Sequence, residues 1–114
     1  MAASIINLEE GRPSVDEAMR RLRLQVNTMR RLGIRQIKVI HGYGSSGKGG
    51  VIKTATHEVL RVMADDGKIR LYCPGEQFGP FEKNGRTVVE LCPAFRNDPD
   101  WARSNDGITV LLLK

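Results

Sequence analysis

The chain lacks most of the features that assign a protein to a class at sight. No apolar run approaches the roughly 18 residues of a membrane-spanning helix, so none is expected. The first residues, Met1 to Leu8, have neither the basic start nor the long apolar core of a secretion signal, and a cytoplasmic protein is the expectation. Cysteine occurs twice, at Cys73 and Cys92, each before a proline and neither in a CxxC pair. That excludes a disulfide scaffold and a cysteine zinc site, and leaves two buried, inert thiols as the expected state. Histidine also occurs only twice, at His41 and His57. Aromatics make up 5% of the chain, and there is no internal repeat and no low-complexity tract.

Acidic residues are scarce in one half. Residues 1–50 carry nine Lys/Arg against Glu9, Glu10, Asp16 and Glu17, while the remainder carries nine of each sign. The whole net charge of +5 therefore belongs to the first half, which favours a polyanionic partner. The length of 114 residues suits one domain, residues 1–114, with one hydrophobic core and no need of staples.

What is present centres on Val39-Ile40-His41-Gly42-Tyr43-Gly44-Ser45-Ser46-Gly47-Lys48-Gly49-Gly50. An apolar run ends at a histidine, a glycine-rich loop follows, and a helical pattern begins directly after it. Glycines let successive backbone N–H groups converge, and a helix start adds partial positive charge. With Lys48, such a loop suits a phosphate group. The segment also matches GxxxxGK, but Gly49 stands where a magnesium-binding Ser or Thr belongs, and no strand ends in a Walker B aspartate. A nucleotide-binding P-loop is thus a remote alternative.

The rest of the chain supplies a frame for that loop. Ile5-Ile6-Asn7-Leu8 reads as a strand. Ser14-Val15-Asp16-Glu17 reads as a capping box, and Val15, Met19, Leu22, Val26 and Met29 form one helical stripe that ends at Gly33. Arg20, Arg23, Arg30 and Arg31 lie largely off that stripe. Ile34 to His41 is a second strand. Ile52, Ala55, Val59 and Met63 mark a second helix, with Lys53, His57 and Arg61 on its outer, solvated face. Ile69 to Cys73 and Ile108 to Leu113 are two further strands. Residues 74–107 are dense in turn signals, and Thr87 to Cys92 suits a strand or a helix equally. Phe78, Phe81, Phe95 and Trp101 suggest a long loop packed by its own aromatics. The order β-α-β-α-β-(long loop)-β implies an α/β two-layer sandwich, with two helices on a mixed sheet of about four strands. Asn7, Glu9, Glu10, His41 and the glycine loop would then meet at one sheet edge.

Strand, helix, strand, His41-Gly42-Tyr43-Gly44, helix, strand and a terminal Gly107-Ile108-Thr109-Val110-Leu111-Leu112 together resemble the Smr (small MutS-related) domain. That family carries an LDLHG-like first strand, in many cases an arginine-rich first helix, an HGxG or TGxG loop, and a final G-x-T-V-x-L strand. The resemblance covers most of the chain except roughly residues 76–106. It implies nucleic-acid binding and, in several members, endonuclease or nicking activity, related to DNA repair or recombination or to RNA processing. His41, Gly42 and Gly44 match the loop motif, and Lys48 lies in its extension. The first motif departs, because Ile6-Asn7-Leu8-Glu9 stands where the family has Leu-Asp-Leu-His.

The resemblance and the residues together set the expectations. Gly42, Gly44, Ser45, Ser46, Gly47 and Lys48, with Arg20, Arg23, Arg30 and Arg31, would contact phosphates. His41 would organise the loop or act in cleavage, and Glu9 would take a proton. Glu9 and Glu10 are candidates for holding a divalent metal beside His41. With the first motif altered, cleavage would be weak or lost while binding persists. His57 is expected on the helix surface. The alternative is a protein-interaction domain that docks a partner through Phe78, Phe81, Phe95 and Trp101, and a homo-oligomer is also open.

Overall fold

The computed structural model describes residues 3–42 and 48–114, with the backbone alone for Lys48 and Gly49. Four strands, β1 (Ser4–Asn7), β2 (Gln36–Ile40), β3 (Leu71–Pro74) and β4 (Ile108–Leu112), form one sheet in the order β1-β2-β4-β3. β1 pairs parallel to β2, in the register Ser4 to Ile37 and Asn7 to Ile40. β4 runs antiparallel to both of its neighbours. The mixed α/β class expected from the sequence is what the chain adopts.

Two helices cover one face. In α1 (Val15–Arg31) Ser14 caps the start, its hydroxyl accepting the Glu17 amide at 3.2 Å. The end closes at Gly33, φ 77°, where the Gly33 amide donates to Arg30 O and the Ile34 amide to Met29 O, a Schellman closure. α2 (Lys48–Asp65) closes in the same way, with the Gly67 amide on Ala64 O and the Lys68 amide on Met63 O. The apolar stripes of the two helices bury Met19, Leu22, Val26, Val59, Leu60 and Met63 over Ile6, Ile37, Val39 and Leu111.

The segment between β3 and β4 departs from the expected long loop. It contains a 3-10 turn at Gly75–Gln77, the helix α3 (Lys83–Leu91) and a second 3-10 turn at Pro93–Asn97. It lies on the opposite face of the sheet, where Phe78, Val88, Val89 and Phe95 pack on Cys73, Ile108, Val110 and Leu112. All five residues of β4 are buried because both its faces are covered. The β-branched Thr87-Val88-Val89 becomes helical since only helical spacing turns Gly85, Val88 and Val89 to one side together. Phe78 is edge-on to Phe95 (5.8 Å) and to Trp101 (5.1 Å), so three of the four aromatics pack the segment, while Phe81 stays exposed. Burial of Phe78 and Phe95 contributes about 1.5–3 kcal/mol each.

A cation fastens this segment to the sheet. Alternation along β2 points Lys38 away from α1 and α2, and its ammonium sits 2.7 Å from Asp98 and 2.6 Å from Asp100. Burial opposes its charge, but the hydrogen bonds and charges of Asp100 and Asp98 outweigh it and hold the pKa above the usual lysine value. Cys73 is buried and its thiol is pushed up to about 12 by desolvation, while Cys92 is half-buried; both are free. No described helix is long and apolar enough to cross a membrane.

Candidate functional site

β1, β2 and β3 share one direction, so their carboxyl ends meet the start of β4 at a single edge. Backbone bonds fix the approach of the chain there. The Leu8 amide donates to Ile40 O at 2.8 Å, one residue beyond β1. The His41 and Gly42 amides both donate to Gly107 O at 3.0 Å. Gly42 has φ 86°, and a Cβ there would stand 2.5 Å from Glu9 Oε2. The left-handed φ favours glycine at the mouth of the loop, and the exposed Glu9 carboxylate rests against it. Asn7 spends its side-chain oxygen on the Glu9 amide at 2.9 Å, and Arg21 Nη1 donates to Asn7 O and Glu10 O, tying this turn to α1.

His41 is fully buried, with both ring nitrogens engaged. Its Nδ1 lies 3.2 Å from Gly42 O and its Nε2 lies 2.9 Å from Thr109 Oγ1. Burial lowers its pKa to about 4, against the opposing pull of the Gly42 carbonyl, so the ring is neutral at pH 7. It has no open face toward a phosphodiester in this geometry. His57, expected on the helix surface, is instead half-buried, and its Nε2 lies 2.8 Å from the same Thr109 hydroxyl. Its ring is 5.8 Å from that of His41 and 5.8 Å from Tyr72. Burial, then Lys53, lowers its pKa, and Glu76 opposes them. Sequence spacing missed this because helical periodicity put His57 with Lys53 and Arg61, whereas β4 reaches across with Thr109. The G-x-T-V motif was the available signal.

The other candidates divide. Glu9 and Glu10 are exposed, and among the described residues no group of three or more His, Cys, Asp or Glu is placed to hold a metal ion. Gly44, Ser45, Ser46 and Gly47 lie outside the described residues; Lys48 opens α2. Arg20, Arg23, Arg30 and Arg31 are all exposed. At 3.6 residues per turn they fall within about 100° of helix arc and run about 16 Å along α1. None of the four has an ion-pair partner among the described residues. The cations of α2 differ. Lys53 pairs with Glu76 at 2.7 Å, and Arg61 pairs with Glu58 and Asp65.

The aromatic docking surface does not exist as expected. Phe78 and Phe95 are 1% exposed and Trp101 is half-buried in the core of the second face, which leaves Phe81, 93% exposed, by itself. The four side chains were to act together, and the core has taken three of them.

Comparison with known proteins gives two matches. The family model of the Smr domain matches residues 11–92. Among solved structures, the chain is similar to the Smr domain of Thermus thermophilus MutS2, with a TM-score of 0.59 and 20% sequence identity over 98% of this chain and 99% of that one. That structural likeness bears on the fold alone. No curated protein matches significantly.

Proposed function

Because the chain belongs to the Smr domain family, on a match covering residues 11–92, we propose that it is a nucleic-acid-binding domain that grips the phosphate backbone. The observation that carries this reading is the exposed face of α1, where Arg20, Arg23, Arg30 and Arg31 stand without acidic partners among the described residues. A row of cations about 16 Å long matches the spacing of several successive phosphates, and such contacts position a polyanion without reading its sequence. The glycine-rich segment that follows Gly42, with Lys48 and the start of α2, adds a second phosphate contact in this reading.

Cleavage is weak or absent on the same reading. General acid–base help is worth about 100- to 10,000-fold per positioned group. His41 is enclosed and neutral, and Glu9 stands where the family pattern has a histidine. Neither supplies an imidazolium to a leaving oxygen. The test is incubation of the chain with labelled single- and double-stranded DNA and RNA, with magnesium, manganese or chelator, scoring binding and cleavage separately. Salt-sensitive binding with little cleavage is expected. Absence of binding at low salt contradicts the proposal, and robust cleavage lost in His41→Ala or Glu9→Gln makes the chain an enzyme.

A further inference from the structure

The Thr109 hydroxyl is shared by two imidazoles, and elementary donor–acceptor accounting gives the arrangement a direction. A carbonyl oxygen only accepts, so the 3.2 Å contact between His41 Nδ1 and Gly42 O requires the proton on Nδ1. In a neutral ring Nε2 is then a bare acceptor, and the Thr109 O–H, 2.9 Å away, donates to it. The Thr109 oxygen in turn accepts from His57 Nε2–H at 2.8 Å. The chain reads His57 to Thr109 to His41 to the Gly42 carbonyl, each group donating to the next. The reverse direction would set the His41 Nδ1 lone pair against the Gly42 carbonyl. Thr109 and His41 are fully buried, so no water competes for these bonds.

We propose that His57 and Thr109 are positioning residues that keep His41 neutral and Nδ1-protonated, and through it hold the Gly42 turn from which the glycine-rich segment departs. Protonated His41 would aim Nε2–H at an oxygen that already accepts from His57, and the Thr109 proton would lose its acceptor. The lowered His41 pKa agrees with this arrangement. The surroundings are mixed in charge. Lys53 and Glu76, paired with each other, and Tyr72 stand beside His57, while Glu9 rests against Gly42. The inference bears on the nucleic-acid-binding reading only in what the Gly42 turn is for; its geometry is independent of it.

Two pairs of substitutions separate a directed chain from plain packing. His57→Phe keeps an aromatic ring but removes the donor, whereas His57→Gln replaces the N–H donor with an amide. Thr109→Val and Thr109→Ser form the parallel pair. Nitrogen-15 NMR of the full chain, titrated with pH, reads the His41 tautomer and pKa, and hydrogen exchange reads the Gly42 amide. His57→Phe should raise the His41 pKa by about one unit, Thr109→Val, which would leave a buried imidazolium N–H facing a methyl, should lower it, and both should speed Gly42 exchange, with Gln and Ser holding both readouts near the unaltered chain. Equal shifts in the conservative and the disruptive variants, or none in either, overturn the proposal, as does an Nε2-protonated His41 in the unaltered chain. Oligonucleotide affinity at low salt is measured on the same samples. If the unaltered chain fails to bind, the binding reading falls, while the spectra still decide this proposal.

Discussion

α1 and α2 lie side by side on one face of the sheet, and both carry cations on their outward surfaces, yet those cations are in different states. In α2, Lys53 is held by Glu76, and Arg61 is held between Glu58 and Asp65. In α1, Arg20, Arg23, Arg30 and Arg31 are exposed and have no acidic partner among the described residues. A count of charges along the sequence marks α1 as the more basic helix but does not say which cations are already paired. For a polyanion they differ, because a cation already paired must give up its carboxylate before it can neutralise a phosphate. Lys38 is the extreme case, counted with the basic half but spent inside the fold on Asp98 and Asp100.

Reversal of the four α1 arginines to glutamate is the strongest way to break the comparison. It should weaken binding on the order of 100-fold or more at low salt, and lower the slope of log affinity against log salt by about 3, as counterion release at fewer phosphates requires. Filter binding or fluorescence anisotropy across a salt series checks it. Lys38→Ala probes the opposite kind of cation. It leaves Asp98 and Asp100 facing each other half-buried, and should destabilise the fold by on the order of 3 kcal/mol in urea unfolding, with little change in the salt slope.

A smaller effect follows from His41, whose folded pKa is about 4 against an ordinary 6.5. The unfolded chain takes up a proton there in a range where the folded chain refuses one. Stability is therefore complete above pH 6.5 and falls as pH drops from 6.5 toward 4. Unfolding free energies from urea titrations at pH 7 and pH 5 should differ by roughly 2 kcal/mol. Glu76 and Asp100, whose pKa values are held below the ordinary carboxylate values, add their losses only at lower pH. The smallest expected effect is the control for the comparison. Lys53→Ala with Arg61→Ala, which removes paired surface cations, should change oligonucleotide affinity less than about threefold and leave the urea midpoint nearly unmoved.

The face bearing α1 and α2 was legible in the sequence because its signals are local. A serine cap, stripes at steps of three and four, and Gly33 past the last turn each act within one element. The second face was not legible. Its helix α3 has β-branched residues that local propensity assigns equally well to a strand, and it forms because Val88 and Val89 must meet Phe78, Phe95 and β4, distant in sequence. The same holds at the site. His41 and Gly42 announced themselves through the strand-then-glycine pattern, and the approach of Glu9 followed from the topology. The burial of His41 and the turn of His57 toward it depend on Thr109, contributed by a strand 52 residues beyond His57. Pairings across that distance leave no periodic trace.

The central claim is that the α1 arginines, and not the paired cations Lys53 and Arg61 of α2, meet nucleic acid. Backbone amide and arginine side-chain NMR signals, followed while a short single-stranded oligonucleotide is added at low salt, test it directly. The account predicts that the largest shifts fall on Arg20, Arg23, Arg30 and Arg31 and reach Gly42, with Lys53 and Arg61 nearly still. Shifts concentrated on Lys53 and Arg61 or on the segment around Phe81 and Trp101, or no shifts at all, would contradict it.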